Sequence, residues 1–200
     1  YNQLKIYYST KKKPSEIYLS QEFSMKYDVL FLWVYSQPEI LNQRLDNRVD
    51  SMFEKGALEE VKFLYEKFKE LNIGENREEK MRAGIWQVIG FKEFLPWLED
   101  DCQDQKKFDE GKEIMKIKTR QYAKSQIKWI KNTLIPDIKG KNLFVLNASD
   151  LNKWKDKVEN RATAITEDFL RGLDVDRHEQ TPDELSDLLN QSKLKKMQDI

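Results

Sequence analysis

Two arginines one helical turn apart, Arg44 and Arg48, are interleaved with Asp46 and Asp50 in the run Gln43-Arg-Leu-Asp-Asn-Arg-Val-Asp50. On a helix, guanidinium groups at i and i+4 project from one face. They could close an intrahelical ladder of ion pairs with the interleaved acids, or grip a phosphate through paired N–H donors. A second candidate is the stretch Lys112 to Lys131, which reads as a basic amphipathic helix. Lys116, Arg120, Lys124, Lys128 and Lys131 recur at helical steps, while Ile114, Ile117, Ala123, Ile127, Ile130 and Leu134 mark the side expected to face a core. Glu113 is the only acid in that stretch. Arg120, Tyr122, Lys124, Gln126 and Trp129 mix charge, hydrogen-bond donors and flat rings, as nucleic-acid surfaces do. The competing reading is a solvated surface helix with a buried Trp.

Other chemistries lack their residues. With one cysteine, Cys102, and one histidine, His178, the chain can form neither an intrachain disulfide framework nor a Cys/His zinc site, and a reducing compartment is the natural inference. No Ser/His/Asp set is credible around a histidine in a linker-like stretch, and none of the seven glycines opens a Gly-x-x-x-x-Gly-Lys-Ser/Thr loop. Thirty-five cations balance thirty-five anions, so affinity for a polyanion must come from segregated charge. No apolar run reaches the roughly 18 residues that span a bilayer, and the start Tyr-Asn-Gln-Leu-Lys is no secretory signal. The reading is a soluble intracellular protein, and a first residue other than Met hints at sequence upstream.

Two hundred residues, 39% hydrophobic and 12% aromatic, suit one domain with a real core. Tyr1 to Tyr8 reads as the last turns of a helix and Ser9 to Ser15 as a loop. The β-branched and aromatic run Tyr27 to Tyr35 predicts a strand buried on both faces, and Asn142 to Leu146 a second one, followed by the capping residues Asn147, Ser149 and Asp150. Between them the periodicity predicts a helix from Pro38 to about Glu70, broken at Gly56. A polar segment over Asn72 to Lys80, an aromatic-rich stretch from Gly84 to Leu98, and a charged solvated loop from Glu99 to Glu110 follow. Asp150 to Leu170 predicts a helix with Leu151, Trp154, Val158, Ala162, Ile165 and Phe169 on one side, ended by Gly172. Asp174 to Gln180 reads as a linker, and Thr181-Pro-Asp-Glu184 as a capping box opening a short helix. The fold class is α/β, mostly helical, with about two strands and flanking helices.

Three blocks in series carry a resemblance: Leu45-Asp-Asn-Arg-Val-Asp-Ser-Met52 with Gly56-Ala-Leu-Glu-Glu-Val61; Ile89-Gly-Phe-Lys-Glu93; and Thr119-Arg-Gln-Tyr-Ala-Lys-Ser-Gln-Ile-Lys-Trp129. In this order and spacing the chain resembles the tRNA dimethylallyltransferases, or tRNA isopentenyltransferases, of fungal type. The resemblance covers roughly residues 1 to 170. It implies the later part of the family's catalytic domain, a P-loop-type parallel-sheet domain, over 1–172, with a linker and short helix over 173–200. It also implies transfer of a dimethylallyl group from dimethylallyl diphosphate, with magnesium, to the exocyclic amine of the adenosine 3′-adjacent to the tRNA anticodon.

Such a reaction needs donors for a departing diphosphate, a base for the amine proton and a cationic, aromatic surface for an unstacked loop. By the resemblance Arg48 is the arginine beside the donor diphosphate. Gln87, Val88, Ile89, Gly90, Phe91 and Lys92, and Arg120, Lys124, Gln126, Lys128 and Lys131, fall on the segments that contact the tRNA anticodon stem-loop. Trp86 and Trp129 are then expected to be buried supports. The family's phosphate-binding loop, catalytic threonine and general-base aspartate lie before the point where this chain begins, so magnesium would be held mainly by residues outside it and the chain alone would be inactive. Ser125 stands where an arginine is usual, Lys11 replaces a frequent turn glycine, and no Cys/His set of a later zinc finger is present. A monomer is implied, in the cytoplasm, with mitochondrion and nucleus left open. The competing readings are a non-catalytic RNA-binding module and a fragment prone to aggregate through Tyr27 to Tyr35.

Overall fold

The computed structural model describes residues 2–20, 25–71, 79, 81–138 and 142–173. The predicted linker and last helix over 174–200, and all of the segment 72–80 except Glu79, lie outside the described residues. Among these residues the fold is a mostly helical α/β arrangement with one two-stranded parallel sheet.

The chain divides into two compact units, one comprising the residues up to Val34, Lys131–Leu146 and those from Lys155 on, the other Tyr35–Ile130 and Asn147–Trp154. In the first unit, α1 (Asn2–Thr10) stops where Lys11 turns left-handed at φ 58°, its N–H donating to the Tyr7 carbonyl at 2.8 Å. The expected loop to Ser15 is shorter than predicted. Proline fits the first helical position, so α2 starts at Pro14 and runs to Ser20, and the Glu16 carboxylate accepts from the Lys13 N–H at 3.2 Å.

Strand β1 (Phe31–Tyr35) is only the second half of the predicted one. Before it, Asp28 accepts a side-chain hydrogen bond from Asn142 at 3.1 Å instead of entering a ladder. Trp33 and Tyr35 are buried while Leu32 and Val34 are exposed, so the expectation of a strand covered on both faces fails for β1. It holds for β2 (Leu143–Asn147), where Leu143 through Leu146 are all buried. Phe31 N–H donates to Asn142 O at 2.8 Å and Ala148 N–H to Tyr35 O at 2.7 Å, which sets a parallel register.

In the second unit, α3 (Pro38–Glu54) and α4 (Ala57–Glu70) are separated at Gly56, whose φ of 101° suits glycine and interrupts the helical path. Short 3₁₀ turns over Gly84–Gln87 and Lys92–Phe94 lead to α5 (Leu95–Leu98) and the long α6 (Gln105–Trp129). The charged stretch expected to be a loop to Glu110 is therefore helical from Gln105. Asp104 caps it by accepting from the N–H groups of Lys106 and Lys107 at 2.9 and 3.3 Å, and Gln105 bonds Asp109 one turn on. Phe91, Phe94, Leu98, Val49 and Met115 centre the core of this unit, with Phe53 and Phe108 packed on Phe94 at ring-centroid distances of 5.3 and 5.5 Å.

Beyond α6 a wide π turn (Ile130–Leu134) and α7 (Ile135–Asp137) precede β2. Asp150 caps a 3₁₀ turn (Leu151–Lys153), followed by a π stretch (Lys155–Asn160) and α8 (Arg161–Leu170). The single helix predicted from Asp150 is thus three pieces. Val158 and Ile165 are buried as expected, but Leu151 and Trp154 are exposed. Gly172 ends α8, donating to Phe169 O at 3.1 Å.

Candidate functional site

Residues two apart on a helix lie about 200° apart around it, so the acids and arginines of α3 serve opposite sides. Asp46 and Asp50 face α6. Asp46 pairs with Arg120, and Asp50 receives Lys112 at 2.7 Å and Lys116 at 2.9 Å. Hydrogen bonds from Lys112 and then Lys116 hold the Asp50 carboxyl below the usual carboxylate range, and the hydrogen bond to Asp46 raises Arg120 above its ordinary value. On the other side Arg44 donates to the carbonyls of Ala148 at 2.7 Å and Ser149 at 2.6 Å, tying α3 to the residues that follow β2. Neither arginine joins the intrahelical ladder that was one of the two readings. Arg48 is exposed and makes no hydrogen bond or ion pair among the described residues.

The segment Gln87 to Lys92 is mixed in its placement. Gln87, Val88 and Ile89 are exposed, Lys92 is half-buried, and Gly90 and Phe91 are buried, Phe91 completely. Its shape is fixed by Glu93, a buried carboxylate that accepts from Gly90 N–H at 2.8 Å and from Lys118 of α6. Close approach to α6 needs Gly111, since a Cβ there would lie 2.7 Å from the Glu93 carbonyl. Trp86 packs edge-on against Phe68 and tilted against Phe91, but it is half-buried and not fully buried as expected.

Along α6 the predicted contacts separate. Arg120 is engaged by Asp46 and Glu113, whereas Lys124, Gln126 and Lys128 are exposed; Lys131 sits half-buried in the π turn beyond. Ser125 donates to Tyr122 O at 2.7 Å. Two expectations are corrected here. Ile114 and Ile117 are exposed, because the core-facing line runs instead through Gly111 and Met115; and Trp129 is 51% exposed, not buried. The sequence reading quoted Glu93 in a motif but gave it no role, though its position three residues after the Gly90 amide it caps has capping-box spacing. It missed the partners of Asp46 and Asp50 too, although acids at i and i+4 on α3 match cations at i and i+4 on α6.

Among the described residues no three His, Cys, Asp or Glu side chains converge as a metal site, and no helix is long and apolar enough to cross a membrane.

The family model for IPP transferase matches residues 1–133. The chain belongs to that family. It is 48% identical over 199 residues to the tRNA dimethylallyltransferase of Saccharomyces cerevisiae, covering 98% of this chain and 45% of that one. The Schizosaccharomyces pombe tRNA dimethylallyltransferase is 36% identical over 182 residues, covering 84% and 41% of the respective chains. A crystal structure of a eukaryotic dimethylallyltransferase acting on tRNA superposes with a TM-score of 0.80 at 49% identity, covering 94% of this chain and 44% of that one. This family member therefore spans less than half the length of these relatives.

Proposed function

We propose that this protein transfers a dimethylallyl group from dimethylallyl diphosphate to the exocyclic amine of the adenosine 3′-adjacent to the anticodon of a tRNA. Arg48 holds the departing diphosphate. Gln87 to Ile89, Lys92, Lys124, Gln126 and Lys128 hold the anticodon stem-loop, while Gly90 and Phe91 shape their segment from within. Arg120 supports this surface by fixing α6 to α3.

The observation that carries the reading is the free guanidinium of Arg48. The two acids that flank it in sequence are both engaged by α6, so its donors are available to an anion. A departing diphosphate gains negative charge as the prenyl C–O bond breaks, and paired N–H donors from one guanidinium stabilise that charge more in the transition state than in the ground state. Lysine would bring the charge without the fork. Magnesium belongs to the chemistry the family resemblance implies, and the described residues do not bring together three His, Cys, Asp or Glu side chains that could hold it.

Turnover and tRNA affinity of the full-length protein test this. Arg48→Ala should lower kcat by about 10²–10³-fold, the usual effect of removing one anion-stabilising donor, with tRNA affinity unchanged and Arg48→Lys intermediate. Unchanged turnover in Arg48→Ala rejects the diphosphate role.

A further inference from the structure

We propose that Arg44 is a positioning residue for the transfer reaction, holding the Arg48 guanidinium at the diphosphate by pinning the first turns of α3 to the residues that follow β2. This rests on the diphosphate reading of Arg48 and adds the residue through which that arginine is aimed.

Arg48 is exposed and has no partner among the described residues, so its place is set by the helix that carries it. At about 100° per residue, Asp46 and Asp50 stand about 160° from Arg48, one on each side, and grip α6. A helix held along one side can still roll over that contact, and a roll swings whatever projects from the opposite side. Arg44 is the hold on the opposite side. It lies about 40° from Arg48 around α3 and one turn, about 6 Å, nearer the start.

The Arg44 hold is rigid at both ends. Nη1 donates to Ala148 O at 2.7 Å and Nη2 to Ser149 O at 2.6 Å, two consecutive carbonyls taken by one planar fork. The acceptors are themselves fixed. Ala148 is buried and its N–H donates to Tyr35 O at 2.7 Å, while Ser149 N–H donates to Asn147 Oδ1 at 3.0 Å. Gln37, at the N-cap of α3, makes no side-chain capping bond, and its own N–H donates to Ser149 Oγ at 3.0 Å. The start of α3 is thereby tied to the residues leaving the carboxyl ends of both parallel strands, where open α/β sheets take their ligands.

The partners of Arg44 point to an anion as well as to a tie. Both are neutral carbonyls, and Arg44 makes no ion pair among the described residues, so its charge stays uncompensated one turn from Arg48. Like charges at i and i+4 disfavour each other. An anion at their common face turns that repulsion into attraction, and a diphosphate is such an anion.

Turnover and tRNA affinity of the full-length protein are measured for Arg44→Met, Arg44→Lys, Arg48→Ala and the double variant Arg44→Met with Arg48→Ala, each shown to be folded by thermal melting. Arg44→Met should lower kcat by about 10- to 100-fold, the effect of misplacing a reacting group by up to about 1 Å, and leave tRNA affinity unchanged. Arg44→Lys should recover part of the loss. Because Arg44 acts through Arg48, the double variant should be no slower than Arg48→Ala alone. Wild-type kcat in Arg44→Met, losses that multiply in the double variant, or a matching loss of tRNA affinity would each overturn the positioning role while sparing the diphosphate reading. If Arg44→Met does not fold, Arg44→Lys takes its place in the cycle and is read by the same criteria. Wild-type turnover in Arg48→Ala overturns both.

Discussion

Glu93 is a carboxylate whose exposure is only 7%, and both its oxygens are in use. A buried charge costs several kcal/mol unless its partners are in place, and here they are the Gly90 amide and the Lys118 ammonium. Removing the side chain leaves the amide without an acceptor, while Lys118, about half exposed, can return to water. Glu93→Ala should therefore destabilise by about 2–4 kcal/mol. Glu93→Gln, which still offers Gly90 an oxygen, should lose about half as much; urea denaturation of the two variants checks the order. The other side of the same contact gives a test in which two effects oppose. Gly111→Ala would normally gain about 1 kcal/mol of helix propensity, but the added Cβ meets the Glu93 carbonyl at 2.7 Å and the Phe94 ring at 3.1 Å. Overpacking against backbone costs about 1–3 kcal/mol, so the net change should be a loss. An increase in the denaturation midpoint would show that α6 can move away from Phe94 at little cost.

At the scale of elements, α3 and α6 are clasped by Asp46–Arg120 and by Asp50 between Lys112 and Lys116. Because the folded Asp50 has a depressed pKa, its contribution is present above the unfolded carboxylate pKa and is lost as pH falls through the lowered folded value. Melting of wild type and Asp50→Asn should accordingly differ at neutral pH and converge in acid; a constant gap down to pH ~2 would remove Asp50 from the acid response. The elements themselves were largely legible in the sequence. Gly56 marked the α3–α4 break, β-branched and aromatic residues marked both strands, and Gly172 marked the end of α8. The turn at Lys11 was legible too, and it is left-handed despite the side chain. What escaped was contact between distant segments. The start of α6 was lost because Asp104 looks like any other acid in its charged run until its side chain is seen to cap. The buried line of α6 was misread because periodicity counts large apolar residues, whereas the close approach to Glu93 is made by a glycine. The free state of Arg48 was likewise invisible, since it depends on acids whose partners lie 66 and 74 residues away.

For the molecule as a whole, formal neutrality means that any attraction to a polyanion must be local. The spacing of five cations along Lys116 to Lys131 made the whole stripe a candidate, but the clasp neutralises its upstream members and leaves Lys124 and Lys128 exposed. This makes a quantitative distinction between lysines of the same helix. Each phosphate contact contributes about 0.7 to the slope of log K against log salt for single strands and about 0.9 for duplex. Lys124→Ala and Lys128→Ala should each reduce the slope for stem-loop RNA by about that amount. Lys116→Ala should leave it unchanged and instead lower stability, because its ammonium is already matched to Asp50. Equal slope changes for all three would mean that the RNA displaces Asp50, and that the clasp is a competitor for phosphate instead of the scaffold that leaves Arg48 unpaired among the described residues.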